Sequence, residues 1–253
     1  MKTVEIERMS WTDFEEAMKE TDVVIIPTGV MEEHGPHIPL GTDTIIAEHC
    51  AKLIGEKARI PVAPVMTHGY AANVRSFPGS TSLDPDTYRA LMLAYCESLI
   101  RHGAKRFLIV SGHGGNTPVL DILAGDLYDR YGVVTFANDW WSVLPQLNPE
   151  YNCKDHGGYF ETSMLMAARE DLTDMSMATA VGQCAISGGI RKAYTWKFKA
   201  GTIGIHCDVK KFNPYGNLGN PPEGASKALG EAMTQMYVDF NVALLDEMKK
   251  IPM

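Results

Sequence analysis

Phe107-Leu108-Ile109-Val110 runs directly into Ser111-Gly112-His113-Gly114-Gly115-Asn116. A helical stretch over residues 117–131 follows, and then a second apolar run, Val133-Val134-Thr135-Phe136-Ala137. An apolar run, a glycine-rich turn, an amphipathic stretch and another apolar run are the order of a strand–helix–strand unit. The same alternation extends outward in both directions. Upstream, Val23-Val24-Ile25-Ile26-Pro27 reads as a buried strand. Residues 44–55 read as a helix, since Ile45, Ile46, Cys50, Leu53 and Ile54 recur near helical spacing. Residues 60–65 are a further strand candidate. Asp84-Pro85-Asp86 starts a helix that stops at Gly103, with an acidic cap and then proline in the first turn. Downstream, residues 160–169 and 225–250 read as helices. Residues 175–222 are glycine-rich and without a clear period, which predicts a hairpin or loops over a site. Repeated strand–helix units at this spacing predict an α/β fold with a mostly parallel sheet and helices on both faces.

The bulk numbers agree. The 253 residues fit one large domain over 1–253, with no repeat, low-complexity segment or linker. The 45% hydrophobic and 21% charged content is ordinary globular usage. A formal net charge of -8 argues against a nucleic-acid partner. It suits a site that binds cations through carboxylates, or simple surface acidity. Five cysteines, odd in number and without a CxxC pair, point to a reducing compartment. The N-terminus has no signal-peptide core, and no run reaches the roughly 20 apolar residues of a membrane span. A cytoplasmic protein with no membrane partner is expected.

In open α/β sheets, ligands bind beyond the carboxyl ends of the strands. Ionisable residues collect there. Glu32, Glu33, His34 and His37 follow the first strand, and His68 follows the second. His113 follows the third, and Asp139 the fourth. In extended chain Glu32 and His34 project to one side, and a carboxylate beside an imidazole suits zinc, manganese or iron. Asp43 opens the next helix, as a ligand, an N-cap, or both. A solvated loop is the competing account of Glu32 and His34. The turn around His113 lacks both the GxxxxGK[ST] spacing of a phosphate loop and GxGxxG, so the glycines read as room for close backbone approach. In His156-Gly157-Gly158-Tyr159-Phe160-Glu161, the carboxylate sits at a helix start that would favour it anyway, and His156 is a candidate proton shuttle. Two histidines and three carboxylates with no thiolate point away from structural zinc and towards a hydrolytic pair of ions.

The chain resembles the creatininase (creatinine amidohydrolase) family. Glu32-Glu33-His34-Gly35-Pro36-His37-Ile38-Pro39-Leu40-Gly41-Thr42-Asp43 matches the family pattern E-[QE]-H-G-P-H-[LI]-P-L-x-T-D almost throughout. The likeness continues in Phe77-Pro78-Gly79-Ser80-Thr81-Ser82-Leu83, in Gly112-His113-Gly114-Gly115-Asn116, in residues 156–163 and in Gly216-Asn217-Leu218-Gly219-Asn220-Pro221. The resemblance implies a three-layer α/β/α sandwich and two divalent ions per subunit, zinc with manganese or iron. One ion would be held by Glu32, Asp43 and His113, the other by His34, Asp43 and Glu161, with Asp43 bridging. It also implies His156 as the group that protonates the leaving atom or steers the water, and a homo-oligomer, often a hexamer. Two departures bear on substrate. Creatininase has a glutamate where this chain has Gly115, so Glu161 is the second-site ligand expected here. Many relatives carry Glu-His before the Phe-Pro-Gly motif, where this chain has Asn73, Val74 and then Arg75. Arg75, Gly114, Trp140 and Trp141 are therefore the expected substrate contacts, with core packing as the other account of the tryptophans. The expected reaction is attack of metal-activated water on a cyclic amide or N-formyl carbonyl of a small molecule. Opening of a cyclic sugar ketone, or a non-catalytic metal- or sugar-binding role, are the alternatives.

Overall fold

Three strands, β1 (Val23–Thr28), β2 (Arg106–Ser111) and β3 (Val134–Asp139), lie parallel in the order β1-β2-β3. Their register aligns Val23 with Arg106 and Val134 at one end, and Thr28 with Ser111 and Asp139 at the other. The residues after Thr28, Ser111 and Asp139 therefore leave the sheet along one line, which is where the ionisable residues cluster. This computed structural model describes residues 1–253 except 154, 180–189, 193–194, 200, 205–206, 212 and 253.

The strand expected over residues 60–65 forms only in broken fashion. Val62 and Met66 make isolated parallel bridges to Ile25 and Thr28. Ile25 N–H donates to the Pro61 carbonyl, and Met66 N–H donates to that of Pro27. Pro61 and Pro64 bring no N–H, so the ladder cannot run unbroken. Two helices that periodicity did not reveal are present. α1 (Trp11–Glu20) starts with a capping box between Ser10 and Asp13. α5 (Trp140–Leu147) is capped by Asp139, which accepts from Ser142 N–H. The expected helices occur as α2 (Thr42–Ala58), α3 (Pro85–Ile100), α4 (Thr117–Tyr131), α6 (Tyr159–Arg169) and α7 (Lys227–Lys249).

Alternate residues of a strand face opposite sides, and two cores follow from that rule. Val23, Ile25, Leu108 and Val110 pack with Ile46, Cys50 and Ile54 of α2 and with Trp140, Met164, Leu165, Met233 and Tyr237 from α5, α6 and α7. Val24, Ile26, Phe107 and Ile109 pack on the other side with Tyr88, Met92 and Cys96 of α3 and Leu120, Leu123 and Leu127 of α4. Helices cover both faces, giving the expected three-layer α/β/α sandwich. A second, antiparallel sheet, β4 (Ile190–Lys192), β5 (Thr195–Phe198) and β6 (Gly201–Gly204), supplies the hairpin expected late in the chain. The expected loops over the site fall partly outside the described residues. No helix among those described is long and apolar enough to cross a membrane.

Candidate metal centre

The loop after β1 is pinned at several points. Glu32 N–H donates to the Leu40 carbonyl at 2.9 Å, Glu33 N–H to Ser80 Oγ at 2.9 Å, and Thr81 N–H to the Met31 carbonyl at 2.8 Å. The N-cap of α2 is Gly41, and Asp43 stands within its first turn, so the Asp43 carboxylate is not used as the cap. A Cβ on Gly112 would lie 2.0 Å from the Asp43 carbonyl oxygen. Only glycine lets the end of β2 meet the start of α2 that closely, and the contact sets Asp43 beside His113. Gly157 has φ +59°, and a Cβ there would lie 2.3 Å from the His34 carbonyl oxygen. That close passage brings the first turn of α6, with Glu161, onto the same cluster.

Glu32, His34, Asp43, His113 and Glu161 are all buried, which removes the solvated-loop account of Glu32 and His34. The Asp43 carboxylate divides. Its Oδ1 lies 3.0 Å from His34 Nε2, and its Oδ2 lies 3.0 Å from His113 Nδ1. Glu32 Oε1 is 3.0 Å from His113 Nδ1 and 3.8 Å from His34 Nε2, and Glu161 Oε1 is 3.6 Å from His34 Nε2. Each of these histidines spends its other nitrogen on a carbonyl. His34 Nδ1–H donates to the Glu32 carbonyl at 3.0 Å, and His113 Nε2–H donates to that of Tyr70 at 3.0 Å. The inward nitrogens thus face carboxylate oxygens that can only accept. Such a ring of acceptors is satisfied either by second protons on the imidazoles or by cations. Asp43 Oδ2 favours the cation, because it is buried without an aligned hydrogen bond although His113 Nδ1 is 3.0 Å away. Two donors bonded to one ion at about 2.0–2.2 Å stand about 2.8–3.6 Å apart, close to the spacings seen. Among the described residues three sets of ligand atoms each fall within 4.8 Å of one another: Glu32–Asp43–His113 and His34–Asp43–Glu161, which share Asp43, and Glu32–His34–His156, whose His156 is the more exposed. The nitrogen and oxygen donors fit zinc, manganese or iron.

The electrostatics carry the same signature. Burial pushes the His113 pKa down, but Glu32 and Asp43 outweigh it and raise the value to about 10. Burial likewise opposes the charge on His34, and Glu161 and Asp43 lift its pKa well above the ordinary range. For Asp43, burial is outweighed by His34 and His113, and its pKa is lowered. This is a field built to hold positive charge.

His156 joins the cluster from α6's approach. Its ring lies 4.4 Å from that of His34, and its Nδ1 is 3.7 Å from Glu32 Oε1. Its side chain is 21% exposed, more than any other imidazole or carboxylate of the cluster. His37 is buried and bonded to Thr162 Oγ1 at 3.0 Å, and His68 is exposed beside Thr67, so neither is a member. Asp139 serves α5. The tryptophans part ways. Trp140 is 2% exposed and lies in the core, in line with core packing as the other account of it. A Cβ on Gly114 would lie 3.8 Å from Trp141 Cζ2, so Trp141 and the exposed Gly114 form one wall. Arg75 is exposed, on a loop whose Ala71, Val74 and Phe77 pack with Val30 and Val209 in a separate cluster. Sequence spacing gave Glu33 no role, yet it is buried against His156.

The chain is similar to known proteins over most of its length. The sequence profile described as creatinine amidohydrolase matches residues 7–245. Creatinine amidohydrolase from Pseudomonas putida is 30% identical over 197 residues, 69% of this chain and 75% of the relative. The mycofactocin precursor peptide peptidase of Mycobacterium ulcerans is 35% identical over 210 residues, 78% of this chain and 74% of the relative. The crystal structure of a creatinine amidohydrolase superposes with a TM-score of 0.81 at 22% identity over the whole of both chains. The chain belongs to the creatininase family of hydrolases.

Proposed function

We propose that this protein binds two divalent metal ions and hydrolyses a carbon–nitrogen bond of the amide type, in a cyclic amide or an N-formyl group. The observation that carries the reading is the divided Asp43 carboxylate, with one oxygen toward His34 and the other toward His113, both at 3.0 Å. Glu32, Asp43 and His113 would hold one ion, and His34, Asp43 and Glu161 the other. Bound there, the pair supplies acidification of a water and polarisation of a carbonyl. His156, the most exposed of the cluster's histidines, carries the proton to the leaving nitrogen. Gly157 N–H donates to Glu161 Oε2 at 2.6 Å, which fixes that carboxylate while its other oxygen faces His34. The backbone at Gly114 and the Trp141 ring line the approach and contact the substrate, and Arg75 stands further out on the rim. The names of the Pseudomonas and Mycobacterium relatives both describe carbon–nitrogen bond cleavage, which supports an amide; a 3-dehydro-scyllo-inosose hydrolase from Thermotoga maritima, 23% identical over 167 residues, supports opening of a cyclic sugar ketone as the second reading.

Elemental analysis of protein purified without chelator tests the centre. The expected result is about two divalent ions per chain, with both sites weakened in Asp43→Ala and one retained in Glu161→Gln. A panel of lactams and N-formyl compounds then tests the reaction on the loaded enzyme. Protein that holds no ion under any loading condition would overturn the proposal.

A further inference from the structure

The reading of His156 as a proton carrier leaves open what aims its ring, and the structure answers with a carboxylate. His156 Nε2–H donates to the Glu33 backbone carbonyl at 2.7 Å, with Glu33 Oε1 at 3.2 Å. The other carboxylate oxygen, Oε2, accepts from Gly35 N–H at 3.1 Å. Glu33 is buried, so neither oxygen has bulk water as a substitute partner. The pocket around it is closed by the late motif that begins at Gly216. A Cβ there would lie 1.6 Å from Glu33 Oε2. Two residues on, Leu218 holds the His156 backbone through a pair of hydrogen bonds, His156 N–H to the Leu218 carbonyl at 2.9 Å and Leu218 N–H to that of His156 at 2.7 Å. One strap therefore fixes both partners.

We infer that Glu33 is a positioning residue that holds His156 with Nε2 protonated and Nδ1 turned into the metal centre. This rests on the proposed role of His156. A carboxylate suits the contact. Glu33 meets two donors, Gly35 N–H and His156 Nε2–H, the second shared with its own backbone carbonyl, and a group that accepts at both ends serves both. A glutamine of the same shape accepts at one end. If it keeps the Gly35 bond, its NH₂ faces His156 Nε2. The imidazole then gains by placing a lone pair on Nε2 and its proton on Nδ1, against the pull of the Glu33 backbone carbonyl.

The test is Glu33→Gln in the metal-loaded protein, read in three ways. ¹⁵N spectra of histidine-labelled protein, with the His156 signals assigned from their loss in His156→Gln, report which ring nitrogen carries the proton. The wild type should show Nε2–H, and Glu33→Gln a shift of population to Nδ1–H. Metal content should stay at the wild-type level, with kcat reduced about 10–100-fold, the usual cost of removing such a supporting bond, and KM little changed. In the His156→Gln background, Glu33→Gln should have no further effect, because a residue that acts through another is silent once that other is gone. An unchanged tautomer, or an equal loss of kcat with and without His156, would overturn the inference. The spectra need no substrate, so they decide on Glu33 even if no amide is cleaved and the functional reading itself fails. Should Glu33→Gln lose its metal, Glu33→Asp keeps a group that accepts at both ends on a shorter arm. The inference then requires the wild-type Nε2–H signal, and a change of tautomer there refutes it.

Discussion

Gly112 and Asp43 meet backbone to backbone beside the candidate metal centre, and Gly112→Ala tests whether that approach is needed. The added Cβ would begin 2.0 Å from the Asp43 carbonyl oxygen, 2.7 Å from its carbonyl carbon and 3.1 Å from its Cα. Carbon–oxygen contacts of this type settle at about 3.3–3.6 Å. The end of β2 and the start of α2 must therefore separate by about 1.3 Å. All three obstructing atoms are backbone, so no rotamer change relieves the clash. His113 is the next residue in the chain, and its Nδ1 now stands 3.0 Å from Asp43 Oδ2. Metal–ligand distances hold to about 0.2 Å, so a shift several times larger breaks the shared geometry. We expect metal affinity, measured by competition with a chromophoric chelator, to fall by about 100-fold, the upper end of what disturbing the groups that orient metal ligands costs. Overpacking should also lower stability by about 1–3 kcal/mol, a drop in Tm of about 2–4 °C for each kcal/mol in a chain of this size. Gly125→Ala in α4 is the control, because its Cβ would meet nothing within 4 Å. A Gly112→Ala protein that takes up both ions with wild-type affinity would refute the argument that this contact sets the centre.

The pH dependence of the metal-free protein follows from the same cluster. His113 has its folded pKa raised to about 10 from an ordinary 6.5, so its contribution is fully present below about pH 6.5 and is lost as pH rises through 10. Asp43 is lowered, so its contribution is lost as pH falls through the acid range. The Tm of the chelated protein should therefore decline from pH 6.5 to 10, whereas metal-loaded protein, whose ligands are already deprotonated, should not follow. Equal pH profiles with and without metal would contradict the placement of His113. The tryptophans should separate by experiment: Trp140→Ala should cost about 3–5 kcal/mol of stability in chemical denaturation. Trp141→Ala should change stability less and KM more, and the reverse pattern would show that the core and wall assignments are exchanged.

Much of the fold is readable because β1 and β2 are buried on both faces, while β3 is mostly half-buried. Val23–Thr28 and Arg106–Ser111 are buried throughout, and such strands appear as unbroken apolar runs. Residues 60–65 meet the same criterion but contain Pro61 and Pro64, so pairing is interrupted where the pattern is apolar. α1 was missed although its cap, Ser10 with Asp13, is a recognisable signal, because only Ala17 among its residues is buried and the apolar stripe is thin. α5 was missed because Pro145 lies inside it and the segment is short. Glu32, His34 and His113 stand out by their positions after the strands, whereas the full candidate set with Asp43 and Glu161 comes from the family resemblance. Trp140 and Trp141 were not separable, since adjacent residues on a helix point about 100° apart and only the packing decides which one meets the core.

What spacing could not show is how the histidines are aimed. His34 donates to the carbonyl of Glu32, His113 to that of Tyr70, and His156 to that of Glu33. A carbonyl is the same group at every residue, so no side-chain pattern announces these bonds. They decide which nitrogen of each ring faces the carboxylates, and so decide whether a correct set of residue types can hold an ion. Two of the three carbonyls come from the loop after β1 and the third from the loop that begins at Tyr70. The two loops are tied together by Glu33 N–H to Ser80 Oγ and Thr81 N–H to the Met31 carbonyl. The Phe77–Leu83 motif, which brings no ligand, therefore acts on the centre through Ser80 and Thr81. It holds the backbone of the first motif in the conformation that turns the imidazoles inward. Ligand identity is thus written in the side chains after the strands, and ligand orientation in loop backbone that residues 77–83 hold in place.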